Sequence, residues 1–313
     1  MAPDPTRPPS PPSRKAPVLS SFSISPWILA ARPRTLTAAA APVIVAVALA
    51  WEDGSRHWAA AFACLAVSVL LQIGANYAND LFDYERGSDT ADRLGPVRVT
   101  AAGWIDPRTM RKGTAVVFFL AALPGVYLFW LRGWPVLVLG AALILLALAY
   151  TGGPFPYGYH ALGDLFVFLC FGPAALGGTY YVLTGTLTAP ALGLSLALGA
   201  LIVNILVVNN TRDRFTDAAA GKRTLAVVWG RKAMNREYVL AQGMAYLIPL
   251  GFWLFHRLPG SVLLPWLSLP RAVTVTRRFF RTEGRPLNAV LSDTALLVLV
   301  YSFLLALGLF LGG

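Results

Sequence analysis

The feature of this sequence that most restricts its fold is a succession of apolar runs, near 27–51, 58–79, 113–131, 134–150, 161–183, 191–210, 237–256, 259–276 and 287–311, separated by segments that hold nearly all the charge. A helix needs about 20 apolar residues to cross the hydrocarbon core of a bilayer, and its backbone polar groups find no partners there except one another. The runs therefore predict an all-α integral membrane protein of about nine transmembrane helices. Only 13% of the 313 residues are charged, about half the roughly 25% usual in soluble domains, which argues against a water-soluble fold. Pro265 and Pro270 interrupt the eighth run and Arg271 follows at once, so a re-entrant segment is the alternative to a full span there.

The first twenty residues contain seven prolines together with Arg7, Arg14 and Lys15. Such a composition cannot bury enough apolar surface to order itself, and residues 1–22 are expected to form a disordered cytoplasmic tail, with 23–313 as a single membrane domain. A basic start before an apolar run also suits a secretory signal. This run, however, is long, contains Pro33 and Pro42 and is followed by many more, so an uncleaved first helix is expected. Cys64 and Cys170 lie inside apolar runs, where a thiol behaves as a small hydrophobe, and no disulfide or thiolate metal site is expected. His57, His160 and His256 are scattered and form no metal set.

The net charge of +11 would suit nucleic acid if it were gathered in one patch. It is instead placed between the apolar runs, as orientation signals are, and no nucleic-acid partner is expected. With nine spans and the amino terminus inside, the inner segments hold 23 of the 26 Lys and Arg residues, and the outer loops hold only Arg56, Arg132 and Arg257. This bias predicts a cytoplasmic amino terminus in a multi-pass cell-membrane protein.

Two acidic clusters carry the chemistry. In the first, Asn76, Asn79, Asp80 and Asp83 fall at offsets 0, 3, 4 and 7, one stripe of a continuing helix; Glu85, Asp89 and Asp92 follow. In the second, Asn209, Asn210, Asp213 and Asp217 repeat the pattern 133 residues on, counted from Asp80 to Asp213. Four helices lie between the two clusters, so both emerge on the same cytoplasmic face, as in a parallel repeat rather than the inverted repeat common in transporters. Facing carboxylate pairs call for hard divalent cations with oxygen ligands, and Mg²⁺ takes a few carboxylates while bridging substrate phosphates. Solvated helix ends are the plainer reading of one such cluster, but two with matching spacing favour a site, since ionisable groups at the membrane are costly. Each cluster is followed by cations, Arg93 and Arg98 after the first and Lys222 and Arg223 after the second. Singly these are orientation signals. Together with Mg²⁺ they would surround a diphosphate and stabilise it as it departs, so the leaving group implies an activated lipid.

These motifs resemble those of the UbiA superfamily of intramembrane aromatic prenyltransferases, whose NDxxDxxxD pattern is met here by NDLFDYERGSD and whose DxxxD is met by Asp213 and Asp217. The third acid of the first motif would fall at Gly87; Asp89 supplies it two residues later. That spacing is similar to the branch that prenylates 1,4-dihydroxy-2-naphthoate in menaquinone synthesis. RPRTL at 32–36, RLGPVRVT at 93–100, YTGGPFPYGYHALGD at 150–164, and NNTRD with AGKRTLAV within 209–227 also resemble it, so the likeness runs from 27 to about 311.

The resemblance implies nine helices around a central cavity open toward the lipid, with two Mg²⁺ ions held by Asn79, Asp80, Asp83, Asp89, Asp213 and Asp217. Asn76, Asn79, Arg93, Arg98, Lys222 and Arg223 would bind the diphosphate. Tyr150 would stabilise an allylic cation or orient the arene, or else be an interfacial aromatic. The YTGGPFPYGYHALGD loop has no Lys or Arg and is rich in Gly and Pro, which lets it pack close over a cavity. Within it Asp164 is placed to hold an acceptor hydroxyl, or simply to favour a helix amino terminus. The implied reaction joins a polyprenyl diphosphate to 1,4-dihydroxy-2-naphthoate, with loss of carbon dioxide, in a site bathed by membrane lipid. Prenylation of another aromatic is the alternative within the family. A CDP-alcohol phosphotransferase would show a DG and AR signature that is absent from the sequence, and a cation-coupled transporter would show inverted repeats with acids at mid-membrane.

Overall fold

The computed structural model describes residues 25–89 and 93–312; the tail expected over 1–22, and Asp92, lie outside them. The described chain is helical: α1 (Pro26–Ala31), α2 (Pro33–Glu52), α3 (Trp58–Glu85), α4 (Pro107–Arg132), α5 (Trp134–Ala149), α6 (Gly163–Leu169), α7 (Gly178–Thr184), α8 (Ala189–Ala219), α9 (Leu225–Leu254), α10 (Leu269–Arg281) and α11 (Leu287–Gly312). Among the described residues six helical segments are long and apolar enough to cross a membrane: α2, α3, α4, Gly163–Thr184, α8 and α11. The other three expected runs are helical but differ in kind. α5 is apolar and has 16 residues. α9 breaks at Gly230, where φ is 73°, and carries Arg231, Lys232, Arg236 and Glu237 beyond the break.

The eighth run is composite, as its prolines foreshadow. Residues Gly260–Ser268 form 3₁₀ turns with Pro265 inside, and α10 then buries Ala272, Val275 and Phe279 while Arg277, Arg278 and Arg281 lie exposed. Proline also shapes the sixth segment. α6 and α7 are joined by π-helical turns over Cys170–Gly177 with Pro173 inside, because proline removes a donor and its ring crowds the preceding turn. Opposite this bulge α8 comes close: a β-carbon on Gly172 would sit 2.5 Å from the Ser195 carbonyl oxygen, and one on Gly199 2.8 Å from the Gly172 Cα. Only glycines allow that approach, which is how helices pack tightly in lipid.

Asn79 and Asp83 at the carboxyl end of α3, Tyr150 just after α5, Asp213 and Asp217 near the end of α8, Lys222 before α9 and Asn288 at the start of α11 all line one cavity. The two acidic clusters therefore share one end of the bundle, as the even number of intervening segments requires. A large apolar core drawn from α2, α7, α8 and α11 fills the opposite half.

Candidate active site

The cavity has a volume of about 940 Å³. Its deep walls are apolar, from Cys64 and Val67 on α3, Ala121 and Phe129 on α4, Leu139 and Ile144 on α5, Phe171 on the π turns and Ile205 on α8. Its mouth is charged, with Asp83, Asp213 and Asp217 facing Arg93, Arg98, Arg212 and Lys222. The shape accepts an amphiphile, with an anionic head at the charged end and a hydrocarbon chain within.

The first cluster divides its labour. Asp83 is buried; its Oδ2 pairs with Arg98 Nη2 at 2.5 Å and its Oδ1 accepts from the Tyr159 hydroxyl at 2.8 Å. Asp89 pairs with Arg93 at 2.7 Å and lies 3.4 Å from Arg98. Burial pushes the Asp89 carboxyl up to about 6, against the pull of Arg93. Asp80 and Asn76, expected as a metal ligand and a substrate contact, do not line the cavity. Asp80 accepts from the backbone N–H groups of Val99 and Thr100, at 3.2 and 2.9 Å, and so pins the 93–100 loop over the mouth. The Asn76 amide donates to the Ala31 carbonyl at 2.8 Å and to the Thr35 hydroxyl at 3.0 Å. It braces the break between α1 and α2, where Pro33 starts a new helix and Arg32 sits at φ 51°. A left-handed conformation costs a non-glycine residue roughly 1–2 kcal/mol. The strain places Arg32 in the cavity wall.

The second cluster carries its own counter-charge. Arg212, 2% exposed, grips the adjacent Asp213 through Nε at 2.8 Å and through Nη2, and reaches Asn209 and Asn288 at 2.8 and 2.7 Å. The planar fork of arginine suits such a hub. A β-carbon on Gly95 would lie 2.7 Å from Arg212 Nη2, and the Asn288 amide donates to the Leu94 carbonyl at 2.9 Å, so α8 and α11 hold the same 93–100 loop that Asp80 anchors. Lys222 lines the cavity with its ammonium 5.3 Å from the centre of the Tyr159 ring. Arg223 does not line it; its backbone N–H donates to the Tyr159 carbonyl at 3.1 Å and its side chain is exposed.

The Gly- and Pro-rich loop closes the remaining side. Arg86 donates to the carbonyls of Thr151 and Gly153, at 2.8 and 2.5 Å, and the Thr151 hydroxyl donates to Asn79 at 3.0 Å. The Tyr150 ring lines the cavity and packs edge-on against Tyr157 at 5.3 Å. Asp164 lies behind this wall, 4% exposed. Arg212, Tyr159 and Arg32 lie in the NNTRD, YTGGPFPYGYHALGD and RPRTL runs but had no individual role in the site read from sequence, and Asn288 had no place in it. Arg212 left a signal, an arginine directly beside Asp213 within the NNTRD run; Asn288 left none.

Among the described residues no three His, Cys, Asp or Glu side chains stand close enough to hold a metal ion by themselves. The donor set nevertheless fits Mg²⁺ arriving with a diphosphate. Among the described residues Asp89 Oδ2 and Asp217 Oδ2 are buried without hydrogen-bond partners; Asp217 lines the mouth with Asn79, Asp83 and Asp213, whereas Asp89 stands behind the lining, held to Arg93 and Arg98. Mg²⁺ takes one or two carboxylates and fills its shell from substrate phosphates.

A helical membrane bundle enclosing a lipid-sized cavity with a carboxylate and guanidinium mouth defines an intramembrane site for an amphiphilic anion. The chain belongs to the UbiA prenyltransferase family, whose model matches residues 39–299. It is 41% identical to a Mycobacterium tuberculosis protein described as 1,4-dihydroxy-2-naphthoate octaprenyltransferase, over 91% of this chain and 96% of that one. It is 34% identical to an Escherichia coli protein of the same description, over 91% and 95%. The fold matches that of a UbiA homologue from Archaeoglobus fulgidus bound to DMAPP and Mg²⁺, with a TM-score of 0.61, 13% identity and coverage of 90% and 99%.

Proposed function

We propose that the protein transfers a polyprenyl group from its diphosphate to 1,4-dihydroxy-2-naphthoate, with loss of carbon dioxide, to give a demethylmenaquinone. The observation that carries this reading is the cavity itself, apolar along its length and charged only at the mouth. The mouth receives the diphosphate and the walls receive the chain, and the two relatives named above are described by this acceptor. Arg93, Arg98, Arg212 and Lys222 bind the diphosphate, with Asn79 and Asp83 beside them. Two Mg²⁺ ions, held by Asp83, Asp89, Asp213, Asp217 and Asn79, supply charge neutralisation when bound. Asp80 and Asn76 position the loop and the helix break, and Arg223 stands outside the mouth.

The guanidinium and ammonium groups stabilise charge that grows on the departing diphosphate, where preorganised donors act best. The apolar wall excludes water that would quench the allylic cation, and the cavity holds the acceptor ring against it. Tyr150, at the border of the charged and apolar parts, faces the acceptor. The uncharged 151–162 loop beside it suits a carboxylate that must leave, because a salt bridge made in the ground state does not accelerate its loss. The gathering of 23 of the 26 basic residues on one side of a nine-span arrangement supports an amino terminus and mouth in the cytoplasm, and 23–313 works as one membrane domain. Incubation of membranes containing the protein with Mg²⁺, a long prenyl diphosphate and each of several aromatic acceptors, with products identified by mass, tests the reading. Failure with every acceptor would overturn it.

A further inference from the structure

Tyr159 stands where the Gly- and Pro-rich loop meets both acidic clusters, and it does not line the cavity. Its hydroxyl has one proton to give. That proton goes to Asp83 Oδ1 at 2.8 Å, so Ser88, 2.6 Å away, is the donor to the tyrosine oxygen. Ser88 is itself fixed at the end of α3, where its N–H donates to the Asp83 carbonyl at 3.0 Å. The Asp83 side chain is thereby closed into a ring of hydrogen bonds with the segment that carries it, while Arg98 holds its other oxygen. A carboxylate has roughly four lone-pair sites. The bonds from Tyr159 and Arg98 take one on each oxygen and leave the rest to a ligand in the cavity that Asp83 lines.

Such a bond orients Asp83 only if Tyr159 is itself held, and it is held from three sides. Its N–H donates to the Pro156 carbonyl at 2.9 Å, and its carbonyl accepts from the Arg223 N–H at 3.1 Å. The Lys222 ammonium and the Arg86 guanidinium lie 5.3 and 5.6 Å from the centre of its ring, within the roughly 6 Å over which an aromatic face attracts a cation. Arg86 in turn grips the loop at Thr151 and Gly153, and the Lys222 N–H donates to the Asp217 carbonyl at 2.8 Å. The tyrosine is thus braced by the acceptor loop and by the turn after the second cluster, and it delivers its hydroxyl to the first.

We propose that Tyr159 is a positioning residue that fixes the Asp83 carboxylate in the orientation in which it receives the Mg²⁺ of the diphosphate complex. This deepens the prenyl-transfer reading and rests on it. Tyr159 touches neither substrate nor metal; it acts through Asp83. Groups that orient a metal ligand from behind are worth about 10–100-fold in metal affinity, because a carboxylate free to turn gives up part of its binding energy to be ordered. The role belongs to the hydroxyl. Phenylalanine at 159 would keep the ring that Lys222 and Arg86 pack against and lose only the bond to Asp83.

The test uses the purified full chain in lipid nanodiscs and geranyl thiolodiphosphate, an analogue whose diphosphate leaves slowly, with binding read by calorimetry across a series of Mg²⁺ concentrations. For Tyr159→Phe the account expects the Mg²⁺ concentration at half-maximal binding to rise about 10–100-fold, with analogue affinity restored at saturating Mg²⁺. Ser88→Ala should shift the requirement in the same direction by less. In an Asp83→Asn background Tyr159→Phe should add no further loss, because the two changes act on one ligand. An unchanged Mg²⁺ requirement in Tyr159→Phe, a deficit that no Mg²⁺ concentration restores, or losses that add in the double variant would overturn the role. If Tyr159→Phe does not fold, Ser88→Ala carries the same readouts. A wild type that binds no analogue at any Mg²⁺ concentration would instead sink the prenyl-transfer reading itself.

Discussion

The two acidic clusters are near-copies in sequence and unlike in structure. At the end of α3, Asp80 is spent on two backbone N–H groups, Asn76 on the α1–α2 break, and Asp83 on Arg98 and Tyr159. At the end of α8, Arg212 supplies the counter-charge from inside the motif, and Asp217 keeps a buried oxygen with no partner among the described residues. The first cluster builds the lid of the mouth as well as lining it and leaves Asp89 Oδ2 unpaired among the described residues, whereas the second spends Asp213 on its own arginine and leaves Asp217 Oδ2 unpaired. Equal spacing on a helix thus does not mean equal work, because what folds back over the helix decides which carboxylates stay free.

The sharpest way to break this comparison is to remove one acid from each side of it. Asp217→Ala should lower turnover by at least about 10²–10³-fold, the scale of losing one preorganised charge partner, without lowering thermal stability. Asp83→Ala should abolish turnover too, with Arg98 left only its longer contact to Asp89. Near-normal activity in purified Asp217→Ala would remove the second cluster from the reaction.

Asp80→Ala should show the opposite balance. Hydrogen bonds to a charged acceptor contribute about 1.5–3 kcal/mol each, and two buried N–H groups would be orphaned, so a clear drop in the melting temperature in detergent is expected. If Asp80→Ala melts like the wild type, its anchoring role is refuted.

A smaller effect concerns Asp89. A carboxyl raised in the folded state favours folding while it is protonated. Its contribution is therefore full below the ordinary value of about 4, and it is lost as pH rises through about 6. In chelator, the melting temperature of the wild type relative to Asp89→Asn should fall between pH 4 and 7, and Mg²⁺ should flatten the difference. A flat difference in chelator would show that Asp89 is not held up by burial.

Smallest of all is Asp106→Ala. Asp106 caps α4 by accepting from the Thr109 N–H, outside the cavity, and its loss should leave activity unchanged and stability slightly lower.

Much of this was legible in the sequence because the bilayer simplifies the code. Apolar runs of fixed length and charged gaps foretold the helices and the shared end of the two clusters. The boundaries were less legible. α3 continues six residues past its run to Glu85, α8 nine residues past its own to Ala219, and α4 starts six residues early at Pro107. An apolar run measures the hydrocarbon, and helices continue into the headgroup region, where side chains are charged. In the site, Asn79, Asp83, Asp213, Asp217, Tyr150, Arg93, Arg98 and Lys222 were read from spacing and resemblance, and the structure brings them to one cavity. The anchoring by Asp80, the hub at Arg212 and the clasp of Asn288 on Leu94 are contacts between segments far apart in the chain, and no periodicity records them.

The central claim is that the charged mouth and uncharged acceptor wall serve a decarboxylating prenyl transfer. The most direct measurement is the mass of the product made by the purified protein with Mg²⁺, a prenyl diphosphate and either 1,4-dihydroxy-2-naphthoate or 4-hydroxybenzoate. The account expects a prenylated naphthalene product that has lost carbon dioxide and little product from 4-hydroxybenzoate. A product that keeps the naphthoate carboxylate, or a comparable kcat/KM with 4-hydroxybenzoate, would contradict it.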